Sequence, residues 1–140
     1  MQAYTAELAS VLAQKFEQAP TFMALLRGPQ HRFELANPSY LGLIGHREVL
    51  GRTVAEALPD AQAQGFGAIL DEVYRSGQAY TAQGALFSVQ AEPGGPVCER
   101  YLDFVYQPLR GADGVVNGVF VQGSDVTERT VAARRLIESE

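Results

Sequence analysis

The chain has 140 residues, 46% of them hydrophobic and 19% charged, a size that suits one domain and an apolar content too high for a disordered segment. Sixteen acidic against eleven basic side chains leave a net charge of −5, which weighs against general binding to a phosphate backbone. The single cysteine, Cys98, excludes an intrachain disulfide and a multi-thiolate zinc site, and the two histidines, His31 and His46, form no metal-binding spacing.

From the N-terminus, Tyr4, Leu8, Val11, Leu12 and Phe16 recur at helical spacing, which predicts an amphipathic helix that ends before Pro20. Its apolar stripe needs a cover, either its own domain or a partner chain. Residues 22–26 are short and apolar, as in a buried strand or a helical turn. Residues 28–31 carry turn chemistry and residues 32–36 alternate polar with apolar, so this stretch reads as a hairpin. Asn37-Pro38 supplies an N-cap and a first-turn proline to a short helix through Tyr40, Leu43 and Ile44, which Gly45 ends. Thr53-Val54-Ala55-Glu56 is a capping box for a second short helix, closed by Leu58-Pro59. The strongest helical pattern covers residues 63–76, where Phe66, Ile69, Leu70, Val73 and Tyr74 share a face and Gly77 is the stop.

The second half reads as sheet. Residues 80–91 alternate through Phe87, Val89 and Ala91, and residues 92–96 form a Pro/Gly loop. Residues 99–109 put Leu102, Phe104 and Tyr106 on one side, with Pro108 at an edge or strand end because it lacks a ladder donor. Residues 111–114 are a hairpin turn, and residues 115–123 a last strand with Val119 and Val121 opposite Phe120 and Gln122. A charged helix follows from Glu128. The expected architecture is α+β: a five-stranded antiparallel sheet, helices inserted between the second and third strands, and flanking N- and C-terminal helices.

Several stretches, in this order, resemble the PAS domain family. They are Phe16-Glu17-Gln18-Ala19-Pro20, the run from Phe33 through Asn37-Pro38-Ser39-Tyr40, Gly51-Arg52, and Leu58-Pro59. The closing hairpin adds Asp103-Phe104-Val105-Tyr106-Gln107-Pro108-Leu109 and Gly114-Val115-Val116-Asn117-Gly118-Val119-Phe120-Val121. Ser124-Asp125-Val126-Thr127-Glu128-Arg129 is similar to the Asp-x-Thr signature that leads from such domains into an effector. The variety is similar to the sensory modules of bacterial histidine kinases. The resemblance implies a pocket between sheet and helices whose occupancy, redox state or illumination alters the sheet and then the flanking helices. It divides the chain into an N-terminal helix (1–15), a sensory domain (16–127) and the start of a linker helix (128–140). It also implies a homodimer, through Tyr4, Leu8, Val11 and Leu12, and a covalently linked effector outside this chain.

The resemblance implies a signal junction at Asp125, Thr127 and Arg129, and the residues show what local chemistry it has. A strand becomes a helix here; Asp125 or Thr127 can accept from the helix's unpaired amides, and Asp125 and Arg129 are spaced to pair. The plainer alternative is an N-cap and nothing more. A ligand pocket is assigned to Phe66, Leu70, Tyr74, Phe87, Phe104, Tyr106 and Phe120, with plain core as the alternative; Tyr74 and Tyr106 are the expected polar contacts.

The family's cofactor chemistries are tested against the residues. Residues 50–53 (Leu50-Gly51-Arg52-Thr53) carry no thiol, which disfavours a covalent flavin adduct; residues 63–76 hold no histidine, which disfavours haem; Cys98 lies away from the long helix. His31 and His46 read as solvated loop residues. The cofactor is unassigned: a non-covalent flavin, a small-molecule ligand and an empty core all stay open. Gly42-Leu43-Ile44-Gly45 lacks the lysine of a phosphate-binding loop, Gly65-Phe66-Gly67 falls inside the helical pattern, and Arg129, Arg134 and Arg135 read as a solvated or coiled-coil face, so no nucleic-acid partner is expected. No catalytic residue is assigned. The alternatives are a small α+β cone enzyme of isomerase or dehydratase type, using Asp103, Tyr106 and Tyr74, and a ligand-free interaction domain. With no apolar run near the ~20 residues of a membrane span and no leader-like N-terminus, a cytoplasmic location is expected.

Overall fold

Alternation of apolar and polar side chains produces one antiparallel sheet. The computed structural model describes residues 2–90 and 95–138, without the side chains of residues 2–5 and 138. Its strands are β1 (Phe22–Arg27), β2 (Arg32–Ala36), β3 (Tyr80–Gln90), β4 (Val97–Arg110) and β5 (Val116–Asp125), in the spatial order β2-β1-β5-β4-β3. The helices α2 (Pro38–Leu43), α3 (Val54–Ala57), α4 (Pro59–Ala63) and α5 (Phe66–Ser76) lie between β2 and β3 in sequence, while α1 (Gln2–Gln18) and α6 (Thr127–Glu138) flank the sheet in the chain. Ala91 and residues 92–94, read as the end of a strand and a loop, lie outside the described residues, as does the Tyr4 side chain.

The sheet's inner face carries Phe22, Ala24 and Leu26 from β1, Leu102, Phe104 and Tyr106 from β4, and Val119 and Val121 from β5, all buried. Tyr40, Leu58, Leu70 and Val73 close over them from the helices. Each fully buried Val, Leu or Phe side chain among them contributes about 1.5–3 kcal/mol. Two glycines let the strands come together: a Cβ on Gly118 would lie 2.5 Å from the Leu26 carbonyl oxygen, and one on Gly123 would lie 2.3 Å from the Asp103 carbonyl oxygen and 2.5 Å from the Phe22 ring. Pro108 pairs with Val119 of β5 but lies past Tyr106, where the pairing of β4 with β3 stops, so its missing donor faces no strand.

The caps are where local chemistry places them. Asn37 is fully buried; its carboxamide oxygen accepts from the amides of Tyr40 (3.0 Å) and Met23 (2.9 Å), and its NH2 donates to the carbonyls of Phe16 and Thr21. One side chain therefore caps α2 and ties it to β1 and to the end of α1. Thr53 and Glu56 complete the capping box of α3.

The helical stretch expected over residues 63–76 is two helices. Pro59 opens α4 as well as ending the preceding turn, and α5 begins only at Phe66. The break is Gly65, at φ +95°, a left-handed conformation that glycine adopts without strain. Each sheet edge is covered in part. The loop before α3 pairs with β2, with Phe33 donating to Arg52 and Gly51 to Phe33, both at 2.9 Å. On the β3 edge, the Gln64 side chain donates to the Ser88 carbonyl at 2.6 Å and accepts from its amide at 2.8 Å. Asp60 accepts from the Gln90 amide, and Arg47 donates to the Gln90 carbonyl and bridges to Asp60 at 2.8 Å. Side chains thus occupy the places of a further strand. Among the described residues no helix is long and apolar enough to cross a membrane.

Candidate functional site

Helices packed over the inner face leave a cavity of about 50 Å³. Its sheet wall is Phe22, Phe87, Leu102, Phe104, Tyr106 and Val121; its helical wall includes Tyr40 and Ile44 with Leu58, Ala61, Phe66 and Leu70. Five of the residues read from the sequence as pocket meet there: Phe66, Leu70, Phe87, Phe104 and Tyr106. Their rings are in contact, with Phe66 5.5 Å from Phe87 and 5.9 Å from Phe104, and Phe104 4.7 Å from Tyr106.

Two of the expected residues are elsewhere. Phe120 alternates with Val119 and Val121, which face the core, so its ring is on the other face of the sheet. Tyr74 packs edge-on against His31, at 6.1 Å, beside the β1–β2 turn. The polar residue missed in its place is Tyr40, and its helical spacing with Ile44 was the available signal. Tyr40 and Tyr106 are nine-tenths buried, and neither hydroxyl has a hydrogen-bond partner among the described residues. Burial pushes the phenol of Tyr40 well above its ordinary range; burial, then the neighbouring Tyr40 and Tyr80, does the same to Tyr106. Both stay neutral across physiological pH.

A cavity this small admits about three or four water-sized groups, far short of a flavin or haem, and no charged side chain lines it to meet a phosphate or a propionate. Among the described residues no group of three metal-ligating side chains converges, and Cys98 is exposed. His46 is exposed, in a left-handed turn at φ +60°. His31, expected in solvent, is buried at 4% exposure. Its Nε2 lies 2.7 Å from Asp71, and the amide of Val54 donates to its carbonyl, because the start of α3 folds over the turn.

The enzyme constellation does not assemble. Asp103 is on the opposite face of β4 from Tyr106, accepting from the Gly84 amide at 2.8 Å, and Tyr74 is outside the cavity.

The junction is built on β4 and β5. Leu102, in the cavity wall, is the register partner of Asp125. Asp125 accepts from the amide of Thr127 at 2.9 Å and from its hydroxyl. The Thr127 hydroxyl oxygen in turn accepts from the amide of Tyr101 at 2.9 Å, while the amide of Val126 donates to the Tyr101 carbonyl at 2.8 Å. Asp125 thus takes the first helical amide, as its position suggests, whereas Thr127 ties the helix start to β4. The expected Asp125–Arg129 pair is replaced by two others: Arg129 reaches Asp103 at 3.2 Å, and Asp125 faces Arg100 at 3.8 Å. Arg134, read as solvated, lies over the Tyr101 ring at 4.8 Å and donates to its hydroxyl. At the other end of the chain, Leu8, Val11 and Leu12 of α1 are exposed, at 46%, 42% and 61%.

Among solved structures, the chain is similar to an RNA-binding Light-Oxygen-Voltage receptor (23% identity, TM-score 0.70), covering 96% of this chain and 37% of that one. It is also similar to VqmA bound to DPO (22% identity, TM-score 0.65, 82% and 56% covered) and to the PAS domain of the histidine kinase ThkA (21% identity, TM-score 0.56, 74% and 99% covered). The chain thus spans between a third and just over half of the first two structures. At these identities the likeness is one of fold. The family model described as the PAS fold matches residues 16–131. With its strand order, its inserted helices and this match over most of its length, the chain belongs to the PAS family as a sensory domain.

Proposed function

We propose that this domain reads the state of its cavity and passes it through the β5–α6 junction to a covalently linked effector in a larger bacterial signalling protein. The carrying observation is the register of β4 with β5. Leu102 is at once cavity wall and partner of Asp125, and the preceding residue, Tyr101, is bonded to both Val126 and Thr127. A displacement of Leu102 by an occupant therefore moves the anchor of α6. A histidine kinase is the effector we favour, in keeping with the ThkA neighbour; VqmA, whose complex with ligand and DNA has been solved, is the precedent for another output. In this reading the chain itself carries no catalytic residue, lies in the cytoplasm, and dimerises through the exposed apolar residues of α1.

The test uses the full-length parent protein. Leu102→Phe, which fills the cavity, shifts the effector's basal output, and Thr127→Val removes the shift by cutting the link to Tyr101. Equal output from the wild type and Leu102→Phe would refute the reading. For the dimer, light scattering on the chain with Leu8, Val11 and Leu12 replaced by serine reports half the wild-type mass; an unchanged mass excludes that interface.

A ligand-free interaction domain is the second reading, and the small cavity volume favours it. Native mass spectrometry of the purified chain separates the two: a retained small molecule rules out the ligand-free version.

A further inference from the structure

Val54, the first residue of α3, stands between two spaces. It lines the inner cavity beside Leu58, Ala61 and Leu70, and it also lines a cleft of about 450 Å³ at the surface, with His31, Thr53, Gln62 and Asp71. No other residue lines both. Leu70 and Asp71 are neighbours on α5, and Ala61 and Gln62 on α4, so the same two helices wall the cavity and the cleft.

His31 holds this partition from two directions. Its carbonyl accepts from the Val54 amide at 3.0 Å, and its Nε2 lies 2.7 Å from Asp71 of α5. A carboxylate only accepts, so in the neutral imidazole Nε2 carries the hydrogen and Nδ1 is left an acceptor. Nδ1 has no donor: among the described residues it is the one side-chain polar atom both fully buried and without a partner. The His31 side chain is 6% exposed and that of Asp71 66%, so the bond sits at the rim of the cleft. His31 also keeps a left-handed backbone at φ +57°, which is uncommon outside glycine. The closed contact thus carries an unsatisfied acceptor and a strained turn, and release of the turn lets water reach Nδ1. The adjoining bonds carry no such cost. Thr53 and Glu56 satisfy each other, and Gly51 pairs with Phe33 through the backbone.

We propose that His31 and Asp71 form a latch, whose release lets Val54 swing aside and joins the inner cavity to the surface cleft. The pairing of Gly51 with Phe33 stays in place as the hinge. The latch sets how fast an occupant enters and leaves, and not how tightly it is held, because neither latch residue lines the inner cavity. It rests on the sensor reading for its use, and on the packing alone for its existence.

Xenon is the probe, since dry apolar cavities take it. The chain is placed under xenon, and exchange between dissolved and bound gas is followed by xenon NMR. Asp71→Ala opens the latch and speeds exchange about fivefold or more, with the dissociation constant unchanged. Asp71→Asn keeps an acceptor for Nε2 and exchanges at the wild-type rate. Hydrogen exchange gives a second readout: the Val54 amide quickens by a similar factor in Asp71→Ala, while the Gly51 amide, bonded to the Phe33 carbonyl, does not. The latch is overturned if wild type takes up no xenon, if Asp71→Ala exchanges no faster than wild type, or if Asp71→Asn is as fast as the alanine variant. Val54 and Gly51 quickening together also overturns it, since that marks a general loosening of the loop. The sensor reading is judged apart, by the output of the full-length Leu102→Phe protein: faster xenon exchange in Asp71→Ala with that output unchanged leaves the gate standing and removes the signal route.

Discussion

The Arg129 guanidinium donates to a carboxylate oxygen of Asp103 at 3.2 Å, and the other oxygen of Asp103 accepts from the amide of Gly84 at 2.8 Å. One carboxylate thus joins the first turn of α6 to the bulge of β3, where the register shifts between Ala82 and Ala85. The two bonds differ in worth. The ion pair is exposed on the arginine side and contributes at most about 0.5 kcal/mol. The bond to Gly84 satisfies a backbone donor at an irregular point of an edge strand and contributes about 1 kcal/mol. Urea unfolding should therefore register Asp103→Ala clearly and Arg129→Ala hardly at all. Hydrogen exchange at Gly84 should quicken in Asp103→Ala and not in Arg129→Ala. Equal effects of the two substitutions would show that the arginine, and not the bulge, sets the role of Asp103.

Asn37 uses all of its side-chain hydrogen-bonding capacity inside the protein, at 0% exposure. Alanine there removes a helix cap and leaves the amide of Met23 and the carbonyls of Phe16 and Thr21 short of partners. A loss of about 2–4 kcal/mol follows. Asn37→Asp keeps the cap oxygens but sets a carboxylate against those carbonyls, so it rescues less than half of the loss. Chemical denaturation of both variants checks this. A full rescue by aspartate would mean that the donors of Asn37 contribute nothing.

What could be seen in the sequence was what short stretches decide by themselves. Asn37-Pro38, the Thr53–Glu56 box, the Gly77 stop and the 111–114 turn each carry their own capping or turn chemistry. The pairing of β1 with β5, which joins residues about a hundred positions apart, has no local signal. Gly65 was hidden because the apolar spacing of α5 continues back into α4, so periodicity could not expose a left-handed break. Phe120 went to the wrong face for a different reason. Its alternation with Val119 and Val121, which face the core, puts it on the other side of the sheet. His31 was read as wet because turns usually are; the start of α3, distant in sequence, buries it.

Gly123 and Gly84 separate two reasons for glycine. A Cβ on Gly123 would meet the Asp103 carbonyl oxygen at 2.3 Å and the Cβ of Phe104 at 2.8 Å, at the line where Phe22 of β1 and Phe104 of β4 flank β5. Backbone cannot yield there without parting strands, so Gly123→Ala costs about 2–4 kcal/mol and slackens the Phe22 wall of the cavity. Gly84 has open space around it but sits at φ +64°, so Gly84→Ala costs only the conformational strain of about 1–2 kcal/mol. Thermal unfolding of both variants should rank them in that order. The reverse order would mean that the sheet around Gly123 relaxes freely.

Asp60 ties the acid stability of the protein to the covered edge of β3. Burial pushes its carboxyl pKa upward, but the Arg47 hydrogen bond, the Gln90 amide and the charge of Arg47 together outweigh burial and leave it below the usual value. A carboxyl depressed in the folded state gives stability that is present above its unfolded value of about 3.9 and is lost as pH falls through the folded value. Wild type should therefore lose stability progressively below about pH 4. Asp60→Asn should lower stability at neutral pH by about 2 kcal/mol and flatten that acid limb. With the Asp60 carboxylate gone, Arg47 loses its charged partner and the amide of Gln90 its charged acceptor. Hydrogen exchange at Gln90 should rise in Asp60→Asn, while Ser88, held separately by Gln64, stays protected. If the acid limb keeps its slope in the variant, other carboxylates govern it; if Ser88 and Gln90 open together, the edge is sealed as one unit and not by two independent side-chain clasps.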